Sequence, residues 1–386
     1  MSDSISLTKK LISIPSFVDG TNDEAKLADF ICDWISKNTT LVVEKQIVSG
    51  SRYNIFAYSP ACLREGRLEV DLLLLDHIDT VLPALDWDSD PFRPNVRNGV
   101  IYGLGAFDTK SGVAVMMSLA KKIRAEKVAY LFYIDEEYDF AGMKTFIGTN
   151  NMRFKPKKIL SLDGENLTIR SSCRGLFELD ISLKGKTGHA ANPSGGINAI
   201  AIGGDIISFT QQYLSTIPFD PSLGACSLNI ATIRGGLLRG VDTLGEPIIG
   251  GKGNNIADYL QMKLEIRTNT SFCSRDYLDS LEKIIKNAKA KKKFEIIHDF
   301  PAWMTEKVEL SWIKDPLLKE VPTVKYTDAK KTGYVDVAML ATVWNCPIAC
   351  IGVVGGNAHA AGEWVDIDSI KTVERIVSDI IENSKN

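Results

Sequence analysis

The chain has 386 residues, room for one large domain or two ordinary ones, and 45% of them are hydrophobic, which excludes a disordered chain. Its 45 basic and 48 acidic residues give a formal charge of −3, so neither nucleic acid nor an anionic membrane is expected as a partner. The seven cysteines (Cys32, Cys62, Cys173, Cys226, Cys273, Cys346 and Cys350) form no CxxC pair and leave one over, which excludes a disulfide frame and a cysteine-rich zinc site and fits a reducing compartment. Residues 1–15 carry neither a long apolar run nor a cleavage pattern, and no stretch reaches the length of a membrane span. The cytoplasm is the expected location.

Residues 7–14 have apolar positions at helical spacing and stop at Pro15. Asn22 is expected to cap a helix over 24–37, and 42–46 and 53–58 read as strands. The run Leu72-Leu73-Leu74-Leu75-Asp76-His77-Ile78-Asp79 then puts four leucines before a His-x-Asp. It reads as a buried strand of an α/β sheet, and ligands gather at the carboxyl ends of such strands. His77 and Asp79 are two apart, so on an extended backbone they share a side. That suits an imidazole that binds a metal through one nitrogen while a carboxylate holds the other. A core histidine satisfied by a nearby acid accounts for this stretch, taken alone, equally well.

A turn is expected at Asn98-Gly99, and 101–108 leads into a helix over about 109–125. Gly103 and Gly105 do not make a nucleotide loop. They read as close backbone approach beside Asp108, whose carboxylate would lie by the helix N-terminus. The strand 128–134 ends in Asp135-Glu136-Glu137, and 158–162 ends in Asp163-Gly164-Glu165. Three strands thus end in histidine or carboxylate, and a metal is the simplest way to make those charges tolerable together.

From Arg174 the pattern changes. Alternating strands over 176–183, 227–233, 261–267 and 294–300 are interleaved with helices over 197–213 and 275–290, the second with a basic end (Lys289, Lys291, Lys292, Lys293) read as a solvated helix terminus. This β-α-β-β-α-β order reads as a two-layer module inserted into the larger one. After Pro301 the α/β pattern resumes, with a helix within 333–344, a strand over 348–353 and a final helix over 367–383.

Of the four histidines, His77, His189 and His359 lie in Gly- or acid-rich loops, whereas His298 lies in an alternating strand and reads as structural. Histidine and carboxylate without cysteine is the donor set of a catalytic zinc site. Two histidines and several carboxylates suffice for two metals sharing a carboxylate, ~3.5–4 Å apart, that activate a water. Glu136 and Glu137 face different ways on an extended chain, so one can bind metal while the other takes a proton.

Several segments carry a resemblance in family order: His77-Ile78-Asp79-Thr80-Val81, Trp87-Asp88-Ser89-Asp90-Pro91-Phe92, Tyr102-Gly103-Leu104-Gly105-Ala106-Phe107-Asp108-Thr109-Lys110-Ser111-Gly112, Asp135-Glu136-Glu137, Gly185-Lys186-Thr187-Gly188-His189-Ala190, Gly196-Ile197-Asn198-Ala199-Ile200 and His359-Ala360-Ala361-Gly362-Glu363-Trp364. Together they closely resemble the co-catalytic zinc peptidases and deacylases, a family that includes glutamate carboxypeptidase, acetylornithine deacetylase, succinyl-diaminopimelate desuccinylase and aminoacylase. The resemblance covers nearly the whole chain. It implies an α/β catalytic domain (1–173 and 300–386), a mixed sheet flanked by helices, with an inserted ferredoxin-like α+β lid and dimerisation domain (174–299).

The resemblance also implies roles. His77 would bind one Zn2+ with Asp79 behind it, Asp108 would bridge two Zn2+ ions, Glu136 would be the general base, and Glu137 and His359 would hold the second ion. Co2+ or Mn2+ could substitute. The remaining ligand is Asp163 or Glu165, and Asp163 is chosen for its place directly at the strand end. His189 would reach a partner subunit's active site and hydrogen-bond the oxyanion. Asn254 and Arg267 would contact substrate, Arg267 clamping a carboxylate unless it merely pairs with a lid acid. The loop at Gly333 would cup the substrate's other end.

Three positions depart from the family pattern: Asp76 where glycine is common, Leu104 where arginine is usual, and Ala257 where proline is usual. None removes an implied ligand or the base. The implied enzyme is a homodimeric amidohydrolase of amino-acid metabolism acting on an N-acyl amino acid. A dipeptidase or carboxypeptidase with the same chemistry, and a non-catalytic binding protein on this scaffold, are the competing readings.

Overall fold

The leucine run lies at the middle of the principal sheet. The computed structural model describes residues 3–122, 126–251 and 253–384. Its contacts divide the chain into two units, Met1–Ser171 with Met304–Asp328 and Val335–Asn386, and Ser172–Trp303 with Ala329–Tyr334.

In the first unit six strands form one sheet: β1 (Val42–Ser49), β2 (Arg52–Tyr58), β3 (Val70–His77), β4 (Val128–Tyr133), β5 (Pro156–Ser161) and β6 (Ile348–Cys350), in the order β1-β2-β4-β3-β5-β6. β1 pairs antiparallel with β2, and β2 with β4, while β3 runs parallel to both β4 and β5, and β6 parallel to β5. Leu72 to Leu75 are all 0% exposed, so both faces of β3 are covered. That is why the run carries no polar alternation. Leu72 and Leu74 join a core with Leu11, Ile31, Val113, Val373 and Val377 from the flanking helices. On the opposite face Phe56, Phe146, Phe154 and Trp344 pack ring against ring, with centroids 5.2–5.6 Å apart for the Phe56–Phe146, Phe56–Phe154 and Phe154–Trp344 pairs.

Parallel pairing aligns strand ends. His77 pairs with Tyr133, and Leu75 with Ser161, so the residues that follow β3, β4 and β5 emerge at one end of the sheet. A smaller sheet joins Asn95–Arg97, Val100–Tyr102, Trp364–Asp366 and Gly355–Gly356. Its hairpin turns at Asn98 and Gly99, with φ of 51° and 80°, the left-handed pair a two-residue loop needs. Because Trp364 pairs with Tyr102, the segment 357–363 is delivered beside 103–108.

The second unit is a five-stranded antiparallel sheet in the order Pro247–Gly250, Ser227–Val241, Tyr259–Thr268, Gly175–Lys184, Lys291–Phe300. Helices Ala199–Thr216 and Ser274–Asn287 cover one face, where Leu179, Ile181, Leu260, Met262 and Leu264 meet Ile202, Ile206, Leu281 and Ile285. Leaving aside the short added strand, the strand order is that of a split β-α-β module.

Several expectations need correction. Asn22 is not the helix cap. Helix Ala25–Asn38 starts after Glu24, and the Asn22 side chain donates instead to the Phe17 carbonyl at 2.6 Å. The helix expected over 109–125 runs Ser111–Ala120, and its expected end at 125 lies outside the described residues. The helix expected within 333–344 is a single 3-10 segment, Asp336–Thr342. The strand expected over 348–353 is only Ile348–Cys350, and the one over 227–233 extends to Val241 because it turns back against Pro247–Gly250. The lysine run is not a helix terminus: Lys291–Phe300 is a strand at the sheet edge, where lysines discourage pairing with another chain. Helices Ala141–Asn150 and Ser311–Glu320 carry weak sequence signals, because the first contains Gly142 and Gly148 and the second Pro316. Among the described residues no helix is long and apolar enough to cross a membrane.

Glu374 on the last helix accepts hydrogen bonds from Ser4 and Ser118 at 2.8 Å and from Lys122 at 3.0 Å, tying three helices together. Burial pushes its pKa up, but these hydrogen bonds outweigh burial and hold it below the ordinary 4.5. A carboxylate lowered on folding adds stability that is complete above its unfolded pKa and is lost as pH falls through its folded one. Glu374→Ala should cost about 1–3 kcal/mol at neutral pH, and the gap to the parent should close as pH drops below 4.5. Urea unfolding of both proteins between neutral and acid pH checks this, and a gap independent of pH would refute it.

Candidate metal centre

The end of β3 sets the first pair. Asp79 Oδ1 lies 3.4 Å from His77 Nδ1, and Asp79 Oδ2 accepts from the Glu137 amide at 2.9 Å. Both side chains are buried. With Nδ1 facing Asp79, His77 turns Nε2 toward Asp108 Oδ1, 3.1 Å away. The other oxygen of the same carboxylate, Asp108 Oδ2, lies 3.2 Å from His359 Nε2. Glu137 Oε1 is 3.0 Å from that same nitrogen. His77, Asp108 and Glu137 offer donor atoms that all lie within 4.8 Å of one another, a group able to hold a metal ion.

Asp163 follows β5 into the same electrostatic neighbourhood, where it senses the charges of Asp108, His77 and His359. Glu165 is exposed, and its backbone carbonyl closes a turn by accepting from the Thr168 amide and hydroxyl. Glu136 senses His77, Asp336, Asp163 and Glu137. Asp135, first of the three acids after β4, turns away. It accepts from Arg52 at 2.5 Å and from the amides of Asp139 and Ala141, and so anchors the following helix.

Two residues with no assigned role support the group. Glu363 accepts from the amides of Gly105, Phe107 and Asp108 at 2.7, 2.8 and 2.9 Å, so the His359 segment fastens the Asp108 turn. Gly105 is required there, since φ is 76° and an added Cβ would lie 2.8 Å from Thr80 Cγ2. Asp336 is fully buried beneath the sheet end and accepts from the Tyr133 hydroxyl at 2.8 Å, Tyr133 being the strand partner of His77. Glu363 had a local signal, an acid four residues after His359 behind a glycine. Asp336 had none, because only the fold brings it to Tyr133.

Burial is the largest influence on Asp108, Glu136, Glu137, Asp163, Asp336 and Glu363. It raises Glu136 well above the ordinary range and also raises Glu137 and Asp163, with Asp336 and Glu363 pushed up to about 7. Asp108 is the exception: burial opposes it, but hydrogen bonds from His359 and His77 hold it low. Hydrogen bonds to Asp108 and Glu137 push His359 up to about 10. The charges of Asp79, Asp108, Glu136, Glu137, Asp163 and Asp336 act on two imidazoles, a surplus of negative charge that bound cations would neutralise. The donors are imidazole and carboxylate with no thiolate, the set that suits a catalytic site for a divalent metal. The residues therefore fit a metal centre.

The remaining candidates lie in the second unit. His189 is exposed, and its Nδ1 accepts from the Ala191 amide at 3.1 Å, which leaves the ring proton on Nε2. The Asn254 carbonyl accepts from the Ala190 amide at 2.9 Å, so the His189 and Asn254 loops lie side by side. Arg267 pairs with Glu265 at 2.7 Å through Nε. Gly333 falls in this unit, where its carbonyl accepts from the Cys173 thiol at 3.5 Å. His298 lies in the edge strand against Phe300, with ring centroids 5.1 Å apart.

Residues 73–383 match the profile of peptidase family M20/M25/M40. The chain belongs to that family. Among its relatives are acetylornithine deacetylases of Buchnera aphidicola. One, from strain 5A, is 29% identical over 252 residues, which covers 60% of this chain and 62% of that protein, and another, from strain Sg, is 25% identical over 98% of this chain and 97% of its own length. A succinyl-diaminopimelate desuccinylase of Zymomonas mobilis is 26% identical over 80% of each chain. The fold matches a Bacillus subtilis protein described as a dinuclear metal-binding M20 peptidase, with TM-score 0.66, 15% identity, and 98% and 96% of the two chains covered. The chain spans about 62% of the length of the first of these curated relatives, and as a member of the M20/M25/M40 family it carries a candidate metal site in its first unit.

Glu363→Ala would leave three amides of the Asp108 turn without their acceptor. Loss of about 2 kcal/mol or more is expected in the cation-free protein, with a smaller loss for Glu363→Gln, which keeps one acceptor oxygen. Chemical denaturation of both variants tests this, and parental stability in Glu363→Ala would contradict it.

Proposed function

We propose that this M20 enzyme is an N-acyl-amino-acid amidohydrolase of the acetylornithine or acetyl-lysine deacetylase type. His77 and Asp163 would hold one divalent cation, Glu137 and His359 a second, and Asp108 would be shared between them. The observation that carries the proposal is the Asp108 carboxylate, whose two oxygens face different imidazoles at 3.1 and 3.2 Å. Zinc is the proposed metal, with cobalt or manganese as substitutes, and the thiolate-free donor set supports it. When bound, such a pair supplies Lewis acidity to the scissile carbonyl and to the attacking water.

The chain's own residues supply the rest. Asp79, with its Oδ1 3.4 Å from His77 Nδ1, would orient the ring so that Nε2 serves as the ligand. Glu136 acts as general base. Its desolvated carboxylate has a raised pKa, as a group that must take a proton and return it near neutral pH requires. His189, with its proton on Nε2, is proposed as the oxyanion donor, supplied across a homodimer. Exposed Ile233, Val241, Leu244 and Ile248 in the second unit support an apolar contact with another copy. Asn254 and Arg267 are proposed to bind substrate. With Nε engaged by Glu265, the terminal nitrogens of Arg267 suit a substrate carboxylate. The Gly333 loop is proposed to close around the substrate's far end.

The named relatives also include peptidases, so a dipeptidase or carboxypeptidase is the second reading. Turnover of N-acetylornithine and N-acetyl-lysine, measured beside a set of dipeptides, separates the two, and cleavage of dipeptides alone would end the deacetylase proposal. Chelation should abolish turnover, and zinc or cobalt should restore it. Glu136→Gln should lower kcat by about 10²–10⁴-fold with bound metal unchanged by elemental analysis. A Glu136→Gln enzyme as fast as the parent would remove the assigned base.

A further inference from the structure

Asp76 stands between the leucines of β3 and His77 and is 0% exposed. Its Oδ1 accepts from the His77 amide at 3.1 Å and from the Thr109 hydroxyl. Its Oδ2 has no hydrogen-bond partner and faces Gly112, where an added Cβ would stand 2.0 Å from that oxygen. Among the described residues no salt bridge reaches Asp76, and the buried Lys110 ammonium donates instead to the Ile14 carbonyl at 2.9 Å. A carboxylate enclosed with one open oxygen and no cation is costly, and an asparagine would fill the same space without the charge.

The position of its partners gives the acid a purpose. Asp76 precedes His77, and Thr109 follows Asp108. One carboxylate therefore ties together the two backbone segments whose neighbouring side chains face each other at 3.1 Å. We propose that Asp76 is a positioning residue of the divalent-cation centre, an outer carboxylate whose charge strengthens cation binding at His77 and Asp108 and whose bond to Thr109 holds the Asp108 turn ready. This rests on the metal-centre reading above. Outer groups of this kind commonly carry a sizeable part of a site's affinity without touching the ion.

The test uses the full chain stripped of metal, with zinc affinity measured by competition against a chromophoric chelator and with thermal unfolding of the same cation-free samples. Asp76→Asn keeps the shape and the acceptor for Thr109 but removes the charge. Its zinc affinity should fall about 10–100-fold. Its cation-free Tm should not fall, because asparagine keeps the shape and the acceptor for the His77 amide and Thr109. Thr109→Val, which keeps the charge but cuts the tie, should also weaken zinc, and Thr109→Ser should restore parental affinity. Parental zinc affinity in Asp76→Asn would overturn the proposal. So would a lower cation-free Tm in that variant, which would make Asp76 an ordinary packing residue. His77→Ala is the control: if it too binds zinc like the parent, the metal-centre reading is what has failed.

Discussion

The structure turns on one carboxylate pulled in two directions. Asp108 offers an oxygen to His77 on one side and an oxygen to His359 on the other. These three residues come from the end of a core strand, a glycine-bounded turn and a segment more than two hundred positions later. Much of the first unit can be understood as the scaffold that makes this meeting reproducible.

That scaffold works by layers. Parallel pairing of β3 with β4 and β5 aligns three strand ends, so acids that follow separate strands crowd together without any local reason to do so. The small sheet then lays the His359 segment along the Asp108 turn through the Trp364–Tyr102 pair. Glu363 secures that arrangement with three backbone amides, and Asp79, close beside His77, accepts from the Glu137 amide. The turns that carry Asp108 and Glu137 are thus each held by a further acid that accepts from their backbone amides. The cost is a concentration of buried negative charge, which desolvation turns into raised pKa values for most of the group. A site built this way is poised to gain cations and poorly suited to remain without them.

The second unit follows different physics. Its sheet is antiparallel and covered on one face only, so its strands alternate and its edges are exposed. Lys291, Lys292 and Lys293 stand on one such edge, a placement that reflects protection of an open strand and not recognition of an anion.

What the sequence determined by itself was the chemistry at the ends of strands. An unbroken leucine run can only be a strand buried on both faces, and acids or histidines that end several such strands must be drawn to one edge of the sheet. The sheet-forming runs and the two-layer module followed from hydrophobic period alone. Boundaries and weak helices did not: Ala141–Asn150 and Ser311–Glu320 exist because tertiary packing outweighs their glycines and proline. That Asp163 senses the charges of the cluster while Glu165 is exposed, that Asp135 turns to Arg52, and that Glu363, Asp336 and Asp76 bond to distant partners were likewise decided only in three dimensions. Each depends on which groups distant in the chain become neighbours once water is excluded, and that is information no local pattern carries.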